Sequence, residues 1–318
     1  MEHLASKRKT WFTISLIAIL PGLISLIFFG LRLGIDFTGG SQILLQFNDP
    51  VETETVATVL RSEGYESVQV QTAQVDEGNG IQIRMPEVTE GSAQKEQLYA
   101  ALQAEAGDFT ELDFSTICAS GGNAISDRAI LAVALASIGI LLYIGYAFRN
   151  TQNPWLYGGC AIVAMLHDVL LVIGIFSILG AIANVEIDAL FVTALLTVIG
   201  FSVHDTIVVF DRIRENLARR AAPTFEGVVD YSLAQTLVRS LNTSLTVVLT
   251  LLALYLFGGS TTRNFVLALL IGVVSGTYSS IFNASQLLVA WENGEIQRLF
   301  GRGTRRSAGT EPVVASGR

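Results

Sequence analysis

Six stretches of this chain are apolar enough to cross a bilayer: residues 11–33, 127–149, 155–180, 189–210, 237–257 and 264–291. A span of hydrocarbon takes about 20 such residues. Inside lipid every backbone N–H and C=O has to be satisfied within the segment, so each stretch reads as a helix. The expected fold class is therefore a membrane all-α bundle of six transmembrane helices. Pro21 and Gly22 interrupt the first run and read as a tolerated kink. Lys7, Arg8 and Lys9 ahead of that run also suit a signal peptide, but its apolar core is of spanning length and no small-residue cleavage pattern follows, which favours a retained helix.

Composition agrees, with 51% hydrophobic and 15% charged residues, against about a quarter charged in soluble domains. The net charge of −8 is unevenly spread. Residues 34–126 hold 15 acidic and 3 basic side chains, a local balance of −12, while the rest of the chain carries +4. An acidic soluble domain is thus set into a mildly basic membrane protein. Basic residues follow the ends of the apolar runs rather than one patch, which argues against a nucleic-acid partner.

Within 34–126 the pattern is that of a soluble α+β unit. Strands are predicted over 41–47, 67–71, 81–85 and 109–117 and helices over 51–62 and 93–106, with a Gly78-Asn79-Gly80 turn between the middle strands. The order β-α-β-β-α-β is that of a ferredoxin-like domain. It holds no histidine, phosphate-cradling loop or metal-ligand spacing, so its expected task is contact rather than chemistry. Cys118 and Cys160 fall in different environments and read as apolar fillers.

Basic residues in the connections fix an orientation. The N-terminus (1–10), the turn with Arg149, the 211–236 loop and the tail (292–318) carry most of them and are expected on the cytoplasmic side. The acidic domain is expected outside, periplasmic in a bacterium with two membranes. In the 211–236 loop, Ile213 to Ala222 suits a helix lying on the inner leaflet, and the Gly-, Ser- and Arg-rich tail reads as disordered.

Asp205, inside the fourth run, is the residue most in need of explanation. A carboxylate at membrane depth is unfavourable by roughly 2.5–3.5 kcal/mol on insertion scales, so it calls for a partner or a task. Arg239, at the start of the fifth run, is the candidate partner. Two readings stand: a proton carrier with a fixed counter-charge that never deprotonates, or a structural ion pair with Arg239 snorkelling to the headgroups. A second His-Asp pair, His167 and Asp168, repeats His204–Asp205 and suggests a polar seam, with Asp168 a candidate acceptor for hydroxyls of neighbouring helices. Ser240, Asn242, Thr243, Ser244 and Thr246 offer polar groups on the fifth run. Asp36, Gly39 and Gly40 mark where the chain passes from the first span into the soluble domain, and read as structural. Small residues over 271–280 and Gly158–Gly159 read as close-packing positions. No set of residues converges as a metal site, no cofactor is implied, and no nucleophile, base and oxyanion group assemble as an enzyme's would.

LGIDFTGG, LHDVLLVIG, GFSVHDTIVVFDRIREN and RSLNTSL together resemble the SecD/SecF family, on its SecF side: membrane subunits of bacterial protein export within the resistance-nodulation-division superfamily. The resemblance runs from about residue 7 to 295. It implies a SecD partner, a place beside the SecYEG translocon, unfolded preprotein as the substrate, an inner-membrane location and use of the proton motive force. The family's proton-path aspartate falls on Asp205 and its fifth-span arginine on Arg239. Before that aspartate, where the family often has asparagine, stands His204.

Overall fold

The computed structural model describes residues 4–65, 68–73, 75, 79–117, 119–149, 151, 153–259 and 262–295, leaving aside the side chains of residues 119–126. Gly78, Cys118 and the tail beyond residue 295 lie outside the described residues, and the expectations placed on them go no further.

After a short 3₁₀ turn (Ala5–Lys7), α1 (Arg8–Phe29) runs through Pro21 without a break. It stops ahead of residue 33 because Gly30 takes a positive φ of 68° and turns its N–H back onto the Leu26 carbonyl, a helix ending open to glycine. The soluble domain follows as α2 (Ile35–Thr38), β1 (Gly40–Phe47), α3 (Thr53–Ser62), β2 (Gln69–Ala73), β3 (Asn79–Met85), α4 (Ala93–Ala106) and β4 (Phe109–Ile117). Its four strands form one antiparallel sheet in the order β2-β3-β1-β4. Alternation along β1 decides the faces: Ile43, Leu45 and Phe47 point to a core shared with Val56 and Leu60 of α3 and with Leu98 and Leu102 of α4. Gln42 and Gln46 fall on the other face.

The remaining long helices are α5 (Ala119–Ala147), α6 (Pro154–Ala183), α7 (Ala189–Ala218), α8 (Phe225–Phe257) and α9 (Arg263–Ser279), the last extended by a π-helical turn (Ser280–Ala284) and α10 (Ser285–Glu292). Taking α9 to α10 as one, six helices are long and apolar enough to cross a membrane. Inside their apolar stretches, α6, α7 and α9–α10 are 44%, 50% and 61% buried, whereas α5 and α8 are each 11% buried. The first three are the centre of the bundle and the other two its flank.

One expectation is corrected. Residues 213–222 do not make a separate helix on a leaflet, because α7 continues through Ala218 and α8 begins at Phe225, leaving a short turn between. No breaker interrupts the sequence after Val209, and the charges there pair along the helix surface, Arg214 with Asp211 at 2.6 Å and Arg219 with Glu215 at 2.7 Å. Ile213 and Asn216 are buried, and Asn216 donates to Ser232 and Gln235 of α8 at 2.9 and 3.0 Å. The two helices thus form a tight hairpin below the apolar stretch.

Close crossings hold the bundle. Gly22 of α1 meets Gly174 of α6 so closely that a Cβ on Gly22 would lie 2.6 Å from the Gly174 Cα. Beside that crossing, Ser177 donates to the Gly30 carbonyl at 2.7 Å, which leaves Ser25 to donate to Ser177 at 2.9 Å. Gly272 and Gly276 of α9 let Val198 and Ser202 of α7 approach in the same way. Arg8 pairs with Glu295 and with Glu226 at 3.5 Å, and the Ala5 N–H donates to Asp230 at 2.7 Å, so the start of α1, the residues just after α10 and the base of α8 share one end of the bundle.

Gly22→Leu or Gly174→Leu is expected to destabilise the folded protein by about 1–3 kcal/mol, the usual scale of overpacking, and Ser25→Ala by about 0.6 kcal/mol. Denaturant titration of the purified protein in detergent reads both, and equal effects from the three variants would remove the close crossing as the reason.

Candidate functional site

Asp205 lies sixteen residues into α7 and is 3% exposed. Ser244 of α8 is the polar side chain that meets its carboxylate. Ser244 is itself engaged from α9, accepting from the Thr277 hydroxyl at 2.6 Å. Among the described residues one carboxylate oxygen, Asp205 Oδ2, has no hydrogen-bond partner, and neither has the buried hydroxyl of Ser240 one turn from Ser244 on α8. Buried polar atoms are rarely left like this, since each unsatisfied group is disfavoured by about 1–3 kcal/mol.

The second acid is dressed quite differently. Asp168 of α6, 1% exposed, accepts from Ser202 of α7 at 2.6 Å and from Ser275 and Ser279 of α9 at 2.7 and 2.5 Å. His167 Nδ1 lies 3.0 Å from Asp168 Oδ1. The three serine hydroxyls each have a proton to give, and a carboxylate has the lone pairs to accept them, so the set is chemically matched. The two acids are linked along one helix, since Ser202 precedes Asp205 by three residues, nearly a full turn. His167 Nε2 is buried without a partner among the described residues, and the ring stacks on Tyr278 with 6.4 Å between centroids.

Arg239 is exposed on α8, and among the described residues it forms no ion pair with Asp205. Ser240 next to it points into the bundle, because one residue along a helix turns the side chain by about 100°. Asn242, Thr243 and Thr246 share the exposed side of α8 with Arg239, while Thr193, Thr197 and His204 are exposed on α7. The seam expected from the two His-Asp pairs therefore divides. His167 and Asp168 lie within the bundle with Asp205, and His204, Arg239, Asn242 and Thr243 lie on its outer face. α8 buries Val228, Val229, Ser232, Leu233, Thr236, Ser240 and Ser244, and no residue from there to Phe257. Ser240 and Ser244, at the level of Asp205, are its last buried residues, and beyond them the partly buried Leu251 still packs against the core and Tyr255 meets Arg263.

At the opposite end the Asp36 motif docks the soluble domain onto the head of α7. The Asp36 carboxylate accepts the Ala189 N–H at 2.7 Å, and Asp188 accepts that of Phe191 at 2.8 Å. Gly34 and Ile187 exchange backbone contacts, Gly34 N–H onto the Ile187 carbonyl at 2.8 Å and Ile187 N–H onto that of Arg32 at 2.9 Å. Gly39 and Gly40 take φ of 76° and 137°, and a Cβ at Gly40 would stand 2.7 Å from the Met85 carbonyl oxygen, so both positions need glycine. Arg84 of β3 pairs with the buried Glu186 just before α7. That strut was not foreseen, because each partner alone reads as a surface charge.

Fold and site together define an integral membrane protein built around buried carboxylates, with a small α+β domain clamped to one of its central helices. Comparison with known proteins gives the family. The description "Protein export membrane protein SecD/SecF, C-terminal" matches residues 97–294, and the "SecD/SecF GG Motif" matches residues 24–51. The chain is 56% identical to protein translocase subunit SecF of Thermobaculum terrenum, covering 97% of this chain and 98% of that one. It is 35% identical to protein translocase subunit SecDF of Bacillus subtilis, over 92% of this chain and 38% of the longer one. Among solved structures it superposes on a crystal structure of SecDF from Thermus thermophilus, titled a translocon-associated membrane protein. The TM-score is 0.79 at 33% identity, over 92% of this chain and 38% of that one. The chain belongs to the SecD/SecF family of protein export membrane proteins.

At the head of α7, burial first and then the neighbouring Asp36 push the Asp188 carboxyl above its ordinary value, against the pull of the Phe191 N–H and Arg84. A carboxyl raised on folding favours the folded state below its ordinary value, and that advantage is lost as pH rises through the raised one. Asp188→Asn, which keeps a capping side chain, should therefore melt higher than wild type at neutral pH, and the gap should close on acidification. Asp36→Ala should lower stability by about 1 kcal/mol as a lost cap, with Asp36→Asn milder. Thermal melts across the pH range read both, and a gap at Asp188 that widens in acid contradicts the assignment.

Proposed function

We infer that this chain works with a SecD partner to couple the proton motive force to protein export through the SecYEG translocon, Asp205 carrying the proton. The observation that supports this most is the Oδ2 of Asp205, a carboxylate oxygen held in the bundle to which none of the described residues donates. Such an atom accepts a proton without breaking an existing bond, which is how membrane acids serve in relays. Arg239 is the counter-charge in this reading, and it acts from the exposed face of α8. Together with His204, Asn242, Thr243 and Thr246 it makes part of the outer face polar, which lipid would solvate poorly and the helices of a partner subunit would cover. The SecDF relatives, which are longer than this chain, support SecD as that partner.

The soluble domain is read as ferredoxin-like and extracytoplasmic, from its β-α-β-β-α-β order, the sheet order β2-β3-β1-β4 and the basic residues gathered at the bundle's other end. Both termini then face the cytoplasm of the inner membrane. Unfolded preprotein is the substrate, and the chain acts as an accessory subunit of the translocase rather than as an enzyme.

A second reading has one observation of its own. Arg239 makes no ion pair with Asp205, and the polar faces of α7 and α8 suit assembly alone, so the chain could stabilise SecD and the translocon without proton coupling. Reconstitution of this chain with SecD and SecYEG in vesicles separates the two. With proton coupling, Asp205→Asn removes the gradient-dependent part of export while SecD still co-purifies, and Arg239→Gln does the same. With assembly alone, Asp205→Asn leaves that part intact or loses SecD, and an ionophore does not change the chain's contribution.

A further inference from the structure

We propose that Asp168 is the positioning residue of the site, tying α6, α7 and α9 into one rigid unit against which α8 moves when Asp205 changes its proton. The inference rests on the relay reading of Asp205 and adds to it the part of the structure that holds still and the part that responds.

The rigid part follows from hydrogen bonds. Asp168 stands on α6, takes one hydroxyl from α7 through Ser202 and two from α9 through Ser275 and Ser279, all within 2.7 Å. Three helices therefore converge on two carboxylate oxygens. Moving α7 or α9 away from α6 takes at least one donor from a buried carboxylate, which is disfavoured more than breaking a neutral hydrogen bond. The helices also meet at glycines: Gly272 and Gly276 of α9 lie against Val198 and Ser202 of α7. Asp205 sits one turn beyond Ser202 on the same helix, so its place in the bundle is set by Asp168 through Ser202.

The responsive part follows from burial. α8 is fixed at its base by the hairpin with α7, where Ser232 and Gln235 receive Asn216. Beyond Ser244 it buries no residue of its own. Its last buried link to the core is Ser244, which faces Asp205 and takes the hydroxyl of Thr277 on α9; beyond it the partly buried Leu251 rests on the cluster of Ala268 and Leu269, and Tyr255 meets Arg263. A proton added to Asp205 turns an acceptor toward α8 into a donor at one oxygen, and the orphaned Ser240 hydroxyl stands one turn away. Gain or loss of that proton thus remakes the Asp205–Ser244 contact, and the far half of α8, which buries no side chain, follows as a lever. Around the two acids, His167 meets Asp168 from its own helix, and His204 adjoins Asp205 on its own helix but is exposed.

The test uses the chain assembled with its SecD partner in lipid, spin-labelled in pairs: Leu249 of α8 with Val274 of α9, and Thr197 of α7 with Val274. Distances are compared between wild type and Asp205→Asn, which fixes that acid neutral. The expected result is a shifted 249–274 distance and an unchanged 197–274 distance, with the latter broadening once Asp168→Asn is introduced. Proton flux in the same vesicles should fall by about tenfold in Asp168→Asn while SecD remains bound, within the range by which a network residue alters coupling. Ser275→Ala with Ser279→Ala should reproduce both changes more weakly, which guards against misfolding of the single variant. The proposal is overturned if 197–274 moves together with 249–274 while Asp168 is intact, if neither distance moves, or if Asp168→Asn leaves 197–274 sharp. Wild-type flux in Asp205→Asn would instead sink the relay reading, and the two distances would still judge the rigid unit.

Discussion

Two carboxylates removed from water within one helix bundle set the terms for the rest of this structure. An ionised group in a low-dielectric interior must be met by donors or remain a source of instability. Asp168 is met in full, by three serines and a histidine from three helices. Asp205, a turn and a helix away, keeps one oxygen unclaimed. The same chemical group is therefore a fastener at one position and an unfinished site at the other. The difference lies in the small hydroxyl residues that α7 and α9 present.

That contrast also orders the architecture. The helices that supply donors to Asp168 are the buried ones, and the helix that meets Asp205 through Ser244 is, with α5, one of the two least covered. The soluble domain attaches to the head of α7, through Asp36 capping Ala189 and Arg84 pairing with Glu186, and to α5 of the flank, which packs against α2 and follows closely on β4. Asp205 and the domain thus share one continuous helix. A shift of α7 would reach the domain through hydrogen bonds and an ion pair rather than through a flexible linker.

Much of this was legible in the sequence, and the part that was not has definite causes. Apolar length marked the six membrane helices, and alternation marked the strands. Residues 93–106 and 109–117 coincide with α4 and β4, where Ser92 caps the helix and Gly107 ends it at φ 96°. The continuation of α7 to Ala218 was hidden by Asp211, Arg212, Arg214 and Glu215, charges that suggest leaving the membrane while in fact pairing along an unbroken helix. Arg239 was paired with Asp205 because both are rare charges at membrane depth, but sequence distance does not tell which side of a helix faces inward. One position decides it: Ser240 is buried and Arg239 is not. Ser275 and Ser279 were read with their glycines as a close-packing stripe, which they are, and the carboxylate they serve lies on another helix.

The central claim is that Asp205, and not Asp168, is the acid that gains and loses a proton within the bundle. Infrared difference spectroscopy of the assembled complex in lipid, between alkaline and acid buffer, tests it most directly through the carbonyl stretch of a protonated carboxyl group. A band that appears on acidification, vanishes in Asp205→Asn and persists in Asp168→Asn is the predicted result. A band that survives Asp205→Asn, or that depends on the Asp168 carboxyl itself, would contradict the account.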